Sequence, residues 1–252
     1  LRPIVKFFFK KFLNSHNGIN KKNKVIFENF DDLNYFVQMG AVRSEFACVI
    51  RGAGVKVNNF LNKNKNKNKK RLPIITLVSR MLKDKGVREF VGAASKLNSQ
   101  KINGRFLLVG DIDPLNPSSL NKSTLQKWND EKKIEWKGWV KDIEKILKDT
   151  DILCLPSYRE GFPKILMEAA ACGRPVITTN VPGCRDAVKK NVTGIIIPPK
   201  NYIALADAIK SLCENKDKQL KMGLAARKYA IKNFDVKKIV NEHLEIYKKL
   251  MN

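Results

Sequence analysis

Short apolar runs alternate with amphipathic stretches through most of the chain. The runs that predict β-strands lie at 74–78, 106–109, 134–136, 152–155 and 176–178. The stretches with helical spacing lie near 87–97, before Trp128, near 143–147 and near 165–172. Such alternation is typical of a parallel sheet that carries helices on both faces. The pattern therefore predicts an α/β fold with a Rossmann-like, doubly wound parallel sheet.

The pattern changes towards both ends of the chain. After an apolar run at 195–197, helical spacing predicts helices near 204–212, 222–231 and 239–250, which would pack back across the molecule. Ahead of the sheet, runs at 25–27 and 48–50 predict two strands, with a helix between them near 33–39.

A tract of alternating Asn and Lys separates these two regions. It cannot bury apolar surface, so we expect a flexible surface loop at 61–71. The chain is accordingly divided into residues 1–60, the loop, a Rossmann-like domain at 72–232 and a C-terminal helix at 233–252.

The composition allows a globular protein and limits its class. The chain has 252 residues, of which 43% are apolar, and no run approaches the roughly 18 to 20 apolar residues that a membrane span needs. Five scattered cysteines, never spaced as C-x-x-C, favour reduced thiols over disulfides or zinc. We therefore expect a cytoplasmic protein without a metal site.

The formal charge of +25 would attract phosphate groups, so nucleic acid, anionic lipid and nucleotides are all permitted partners. The Asn/Lys tract has no interleaved aromatic residues on which bases could stack, so we expect no nucleic-acid partner. The segment 6–12, rich in Phe and Lys, could lie on the cytoplasmic face of the inner membrane or belong to a neighbouring domain.

Charged side chains follow two predicted strands at their carboxyl ends, where doubly wound sheets bind ligands. Arg80 and Lys85 come after the first strand of the sheet, beside a predicted helix start, and both features bind phosphate. Glu160 and Glu168 follow the strand at 152–155, with Gly161 allowing close backbone approach. The Glu168 carboxylate, one turn inside the next helix, could accept two hydrogen bonds from a ribose.

Several longer segments have a distinctive sequence, and they read SRMLKDKG, EGFPKILMEAAACGRPVITTNVPGCRDAV and TGIIIPP. These segments resemble the retaining GT-B glycosyltransferases called family 4, or glycosyl transferases group 1, and the resemblance extends from residue 25 to the C-terminus. It is nearest to capsule, O-antigen and lipid-linked oligosaccharide enzymes. The resemblance implies the C-terminal, nucleotide-sugar-binding half of a GT-B enzyme, with residues 1–60 as a remnant of the N-terminal acceptor domain and hinge.

The same resemblance implies roles for individual residues. Arg80 and Lys85 would hold the donor diphosphate, and Glu168 would hold the ribose. Glu160 and the backbone of Gly161 and Phe162 would contact the sugar, with Lys164 in the same motif. The backbone near Trp139 and Val140 would meet the base. The implied reaction transfers a hexose from a nucleoside-diphosphate sugar, expected to be a UDP-sugar, to a glycan or lipid-linked acceptor, without a further cofactor.

Some features depart from the family pattern. Full enzymes of the family carry an entire N-terminal domain, whereas only its last strands and one helix are recognised here. Lys56 stands where the family often has Asp. A fragment, an inactive remnant, or one half of a split enzyme with a separate acceptor domain therefore remains an alternative.

Two rival classes stay open. Asp111 and Asp113 follow a predicted strand and resemble the D-x-D motif with which GT-A transferases hold a divalent metal, although Pro114 is typical of a plain turn. A basic nucleotide-binding module without enzymatic activity is the second alternative.

Overall fold

A computed structural model describes residues 7, 11, 23–60 and 71–251. Most of the Asn/Lys loop and of the segment 6–12 lies outside these residues, so the predictions made for them remain untested.

The N-terminal described segment forms a small unit of its own. Strand β1 (Val25–Phe27), helix α1 (Phe30–Gln38) and strand β2 (Ala47–Val49) give a parallel pair in which Val25 lies opposite Ala47. Asn29 begins α1 because its side-chain oxygen accepts the backbone N–H of Asp32 at 2.8 Å. The predicted strands and helix are confirmed, with β2 beginning one residue earlier than expected.

Six parallel strands form the central sheet. They are β3 (Ile74–Val78), β4 (Arg105–Val109), β5 (Glu135–Trp136), β6 (Ile152–Leu155), β7 (Val176–Thr179) and β8 (Gly194–Ile197). Their order is β5-β4-β3-β6-β7-β8. Strands β4 and β5 follow on one side of β3, and β7 and β8 follow on the opposite side of β6, so the strand order reverses between β3 and β6. A doubly wound sheet binds ligands at this switch point, beyond the carboxyl ends of the strands.

Helices cover both faces of this sheet. They are α2 (Val87–Ser99), α3 (Lys122–Asp130), α4 (Ile143–Asp149), α5 (Lys164–Ala171), α6 (Tyr202–Glu214), α7 (Lys216–Asn233) and α8 (Val236–Met251). Alternate residues of β6 enter two different cores: Ile152 packs with α2 and α6, whereas Leu153 packs with α5 and α7. The α/β prediction is therefore confirmed.

The helix expected before Trp128 is present, and it continues past that residue to Asp130. Pro163 is the N-cap residue of α5, with an extended backbone at φ −71° and ψ 116°. The missing N–H of proline has no effect there, since an N-cap residue makes no intrahelical N–H bond.

The chain beyond α7 returns to the N-terminal segment. The Val55 N–H donates to the Phe234 carbonyl at 2.8 Å, and the Val236 N–H donates to the Val55 carbonyl at 3.0 Å. These bonds position the start of α8 beside residues 54–55. The domain boundaries proposed from the sequence stay predictions.

Candidate functional site

The loops that follow β3 and β6 meet at the switch point through an ion pair. Lys85 Nζ lies 2.7 Å from Glu160 Oε1, and the Ser157 hydroxyl donates to the same oxygen at 2.7 Å. The side chains of Lys85 and Glu160 are only 16% and 14% exposed. The structure therefore brings together one predicted cation and one predicted carboxylate in a partly desolvated position.

Backbone contacts fix the relative position of these two loops. Gly86 has φ +71°, and a Cβ atom there would stand 2.2 Å from the Pro156 carbonyl oxygen. The Tyr158 N–H donates to the Asp84 carbonyl at 2.8 Å. A side chain at residue 86 would separate the loops, so glycine is required for the Lys85–Glu160 contact.

Asp84 and Glu89, which follow β3, have buried carboxylate oxygens that no sequence pattern indicated. The Tyr158 hydroxyl donates to Glu89 Oε1 at 2.5 Å, and burial, followed by this hydrogen bond, raises the pKa of Tyr158. Lys200 Nζ lies 5.2 Å from the centre of the tyrosine ring. Asp84 Oδ1 and Glu89 Oε2 are buried without a hydrogen-bond partner among the described residues. Asp84 and Tyr158 lie in the loops that carry the predicted site residues. Their positions along the chain do not indicate that the two loops are in contact.

Glu168 lies one turn inside α5, as expected. Its side chain is 14% exposed and lies 3.4 Å from Lys164 Nζ, which is itself 65% exposed. Burial raises the pKa of Glu168, and Lys164 partly opposes that effect. The carboxylate is thus a hydrogen-bond acceptor that little solvent reaches and that a ligand with vicinal hydroxyls could use.

Arg80 lies in the same loop as Lys85 but has a different partner. Its Nη1 atom lies 2.7 Å from Asp113 Oδ2, and its side chain is 61% exposed. Asp111 Oδ1 accepts the neighbouring Ile112 N–H at 2.8 Å. Asp113 is therefore paired with a cation, and this ion pair does not favour the D-x-D interpretation.

The predicted base contacts lie beyond β5. Trp139 is 70% exposed, whereas Val140 is half-buried and packs against the cluster formed by Ile74, Leu107 and Val109. The Gly110 N–H donates to the Gly138 carbonyl at 2.7 Å and so ties this loop to the end of β4. Val140 is a packing residue by its side chain, so its backbone remains the group proposed for a ligand.

Phe162 belongs to the core rather than to an open surface. Its side chain is 6% exposed, and its ring lies 5.7 Å from that of Phe234 in an edge-on arrangement. Its ring is therefore hardly accessible, and a contact of its backbone with the sugar stays a prediction. Burial of the ring anchors the loop that carries Glu160 and Gly161.

The segment before α1 reaches the same loop, which spacing along the chain did not predict. Asn29 Nδ2 donates to the Gly161 carbonyl at 3.0 Å across 132 positions of sequence. A Cβ atom on Gly161 would stand 2.2 Å from Glu28 Oε2. Asp31 pairs with Arg185, and Asp32 Oδ1 lies 3.5 Å from Arg159. The N-terminal segment is therefore in direct contact with the loop after β6 and with the segment around Arg185.

The remaining findings concern thiols and membranes. All five cysteines are free thiols in the structure. Over residues 23–60 and 71–251, no helix combines the length and the apolar character that crossing a bilayer requires.

Comparison with known families and proteins identifies relatives of this chain. The family model described as Glycosyl transferases group 1 matches residues 58–229, more than half of the chain. An N,N'-diacetylbacillosaminyl-diphospho-undecaprenol α-1,3-N-acetylgalactosaminyltransferase from Campylobacter jejuni is 30% identical over 239 residues, which cover 91% of this chain and 61% of that protein. An Escherichia coli UDP-Gal:α-D-GlcNAc-diphosphoundecaprenol α-1,3-galactosyltransferase is 28% identical, with 69% and 45% covered. The chain therefore spans about three fifths or less of the length of these curated relatives.

Solved structures show the same architecture. A glycosyltransferase from Rickettsia africae is 28% identical with a TM-score of 0.84, covering 97% of this chain and 67% of that one. The Anabaena protein HepE in complex with UDP has a TM-score of 0.84 at 21% identity, covering 97% and 68%. Both matches extend through the N-terminal segment as well as the six-stranded sheet.

Proposed function

Because this chain belongs to the family Glycosyl transferases group 1, we propose that it binds the UDP-sugar donor of a retaining GT-B (family 4) glycosyltransferase and forms its C-terminal, donor-binding part. The reaction transfers a hexose from the donor to an acceptor hydroxyl with retention at the anomeric carbon. The observation that carries this proposal is the Lys85–Glu160 ion pair at the switch point, with Glu168 on the helix that follows.

Different charged residues bind different parts of the donor. Glu168 accepts hydrogen bonds from the ribose hydroxyls, and Lys85 and Arg80 bind the diphosphate. Lys85 is paired with Glu160 in the structure. The diphosphate competes for the Lys85 ammonium, and Glu160 then accepts hydrogen bonds from the sugar. After this exchange Lys85 is paired with the diphosphate and Glu160 is hydrogen-bonded to the sugar, so neither group is left without a partner in a partly buried site.

The same cations assist the reaction. When the bond between the sugar and the diphosphate breaks, negative charge accumulates on the departing diphosphate and the sugar becomes oxocarbenium-like. Lys85 and Arg80 are placed to stabilise that negative charge. Each charge-assisted hydrogen bond contributes roughly 1.5–3 kcal/mol, so loss of one cation lowers the rate by about tenfold to hundredfold. No metal ion is needed in this scheme, so a chelator leaves binding unchanged.

The acceptor is proposed to be a lipid-linked glycan in cell-surface polysaccharide assembly. The Campylobacter and Escherichia relatives are named for diphospho-undecaprenol acceptors. Such an acceptor places the enzyme at the cytoplasmic face of a membrane as a peripheral protein, in keeping with the formal charge of +25 and the attraction of anionic lipids.

A second candidate is a donor-binding module that is inactive alone or works with a separate acceptor domain. It is favoured by the small size of the β1–β2 unit within the described residues 23–60, since two strands provide little surface for an acceptor site.

Calorimetric titration with UDP, UDP-galactose, UDP-N-acetylgalactosamine and GDP tests donor binding, with and without a metal chelator. Lys85→Ala and Glu168→Ala should each weaken UDP binding by about tenfold or more. Lys210→Ala and Glu214→Ala, from an exposed ion pair on α6, are matched controls that should bind normally. A folded chain that binds none of these nucleotides contradicts the proposal. Binding without transfer to an undecaprenyl-diphosphate glycan favours the second candidate.

A further inference from the structure

We propose that Asn29 is a positioning residue that fixes the backbone of the loop 159–163, named here the sugar loop, for contact with the donor sugar. The inference rests on the proposed function and adds to it a residue from the N-terminal segment. The juxtaposition that carries it is the hydrogen bond from Asn29 Nδ2 to the Gly161 carbonyl.

The Asn29 side chain has its hydrogen bonds satisfied in one arrangement. Oδ1 accepts the Asp32 N–H at 2.8 Å, and Nδ2 donates to Asp32 Oδ2 at 2.8 Å and to the Gly161 carbonyl at 3.0 Å. The residue is 1% exposed. Rotation of this amide would leave buried polar groups without partners, so the side chain holds a single orientation.

This orientation determines which way the peptide unit between Gly161 and Phe162 faces. The peptide is planar and trans, so the Phe162 N–H points away from the Gly161 oxygen that Asn29 holds. A carbonyl fixed towards the N-terminal segment therefore directs the Phe162 N–H to the opposite side of the loop. Asn29 acts on this amide through the peptide plane and needs no contact with the ligand.

The same carbonyl also lies close to the backbone of the turn after β7. Gly183 has φ +73°, and a Cβ atom there would stand 2.1 Å from the Gly161 oxygen. The oxygen thus lies between the Asn29 amide and the backbone of the turn after β7. Ion pairs of Asp31 with Arg185 and of Asp32 with Arg159 reinforce both sides of this contact.

The N-terminal segment can approach the sugar loop closely because Gly161 has no side chain. Glu28 Oε2 occupies the space that a Cβ on Gly161 would need, at 2.2 Å. Any side chain at residue 161 would displace Glu28 and push the sugar loop away from Asn29. Absence of that side chain lets the N-terminal segment approach the backbone directly.

The variant Asn29→Ser separates this role from helix capping. Serine caps a helix about as well as asparagine, so α1 keeps its N-cap, but the hydroxyl cannot also supply the amide donor to Gly161. Asn201→Ser is the matched control, because Asn201 caps α6 by accepting the Ala204 N–H at 2.9 Å and is exposed. Both variants would be titrated with UDP and with UDP-N-acetylgalactosamine, UDP-galactose and UDP-glucose.

We expect Asn29→Ser to weaken binding of the preferred UDP-sugar by about tenfold while its UDP affinity stays within about twofold of the wild type. Hydrogen exchange of the ligand-free chain should become faster in the peptide covering residues 157–163, and Asn201→Ser should change neither measurement. A general structural defect would instead lower the affinities for UDP and UDP-sugar together.

The outcomes separate the two proposals. If Asn29→Ser binds UDP-sugar like the wild type, or loses UDP and UDP-sugar equally, the inference is overturned and the proposed function stands. Unchanged exchange in the sugar loop also overturns it. If the folded wild-type chain binds neither UDP nor any UDP-sugar, the proposed function fails, and the inference fails with it.

Discussion

Folding and ligand binding favour different protonation states of the Glu168 carboxyl group. Burial raises its pKa above the usual value of 4.5, so its ionised form is costly in the folded chain. A group with a raised folded pKa contributes stability that is present below its unfolded pKa and is lost as the pH rises through the folded pKa. The ionised form is nevertheless the one that can accept two ribose hydrogen bonds.

Glu168→Gln should therefore stabilise the ligand-free chain at pH 7, since the neutral amide avoids the cost of burying a charge. The difference in melting temperature from the wild type should disappear at about pH 4, where the wild-type carboxyl is protonated. UDP affinity should fall by about tenfold or more at pH 7. Thermal denaturation at both pH values and calorimetry measure these effects.

Glu214→Gln provides the control for this experiment, because Glu214 forms a similar i,i+4 ion pair but is 58% exposed. It should show little change in stability at either pH and no change in UDP affinity. A Glu168→Gln variant that is less stable than the wild type at pH 7 would contradict the argument from burial.

Two glycines with the same backbone conformation differ in their surroundings. Gly86 and Gly138 have φ +71° and +62°, but a Cβ on Gly86 would collide with the Pro156 carbonyl, whereas nothing lies within 4 Å of a Cβ on Gly138. Gly138→Ala should cost only the strain of the left-handed conformation, about 1–2 kcal/mol. Gly86→Ala should cost clearly more and should separate Lys85 from Glu160. Denaturant unfolding of both variants measures the difference, and equal losses would contradict it.

For single residues, the charged side chains of the site could be recognised in the sequence, but their ion-pair and hydrogen-bond partners could not. Lys85 and Glu160 could be placed near each other because both follow neighbouring strands of a doubly wound sheet. Arg80 was assigned with Lys85 to one phosphate site, yet in the ligand-free structure it pairs with Asp113. The contact of Asn29 with Gly161 could not be predicted, since it joins two segments 132 positions apart without any local pattern.

Strands and helices were easier to predict than contacts between side chains, because an apolar run in the sequence directly indicates a buried strand or helix. Strands β3, β4 and β6 are buried almost throughout, and each contains an apolar run that only Thr76 of β3 interrupts. Helix ends were less accurate: α7 spans Lys216–Asn233, beyond the 222–231 expected, because its first turns carry polar and charged side chains. Periodicity shows which face of a helix is buried but gives little information about where a polar first turn begins.

One aromatic cluster connects the sugar loop to the C-terminal helices. Phe234, at the end of α7, is fully buried, with its ring 5.7 Å from Phe162 and 5.3 Å from Tyr229. Its carbonyl also accepts the Val55 N–H. The sugar loop and the N-terminal segment therefore both contact Phe234.

Phe234→Ala should destabilise the chain by about 3–5 kcal/mol, since a large aromatic side chain leaves a cavity. It should also weaken UDP-sugar binding more than UDP binding, because Phe162 loses its support. Phe30→Ala, at a residue 53% exposed, is the control and should cost little. Denaturant unfolding and calorimetry test both effects; a loss below about 1 kcal/mol for Phe234→Ala would show that the cluster does not anchor the loop.

At the scale of the whole molecule, charge acts beyond the site. The formal charge of +25 creates a positive field that attracts a nucleoside diphosphate from a distance, and added salt screens it. Local contacts of Lys85 and Glu168 act only after the ligand has arrived. The two contributions therefore separate kinetically, with the field affecting association and the contacts affecting dissociation.

The Asn/Lys tract offers a way to test the field, because it is rich in lysine and contains none of the proposed site residues. It contains five lysines, at positions 63, 65, 67, 69 and 70. Replacing all five by asparagine should slow UDP association at low salt by a few-fold and leave the dissociation rate unchanged. The difference from the wild type should shrink as sodium chloride rises from about 20 mM to about 500 mM, where the screening length falls to a few ångströms. Stopped-flow binding measures both rates, with the uncharged nucleoside uridine as the control ligand. A change confined to the dissociation rate would mean that the tract contacts the bound nucleotide, and that its lysines belong to the binding site rather than to the general field.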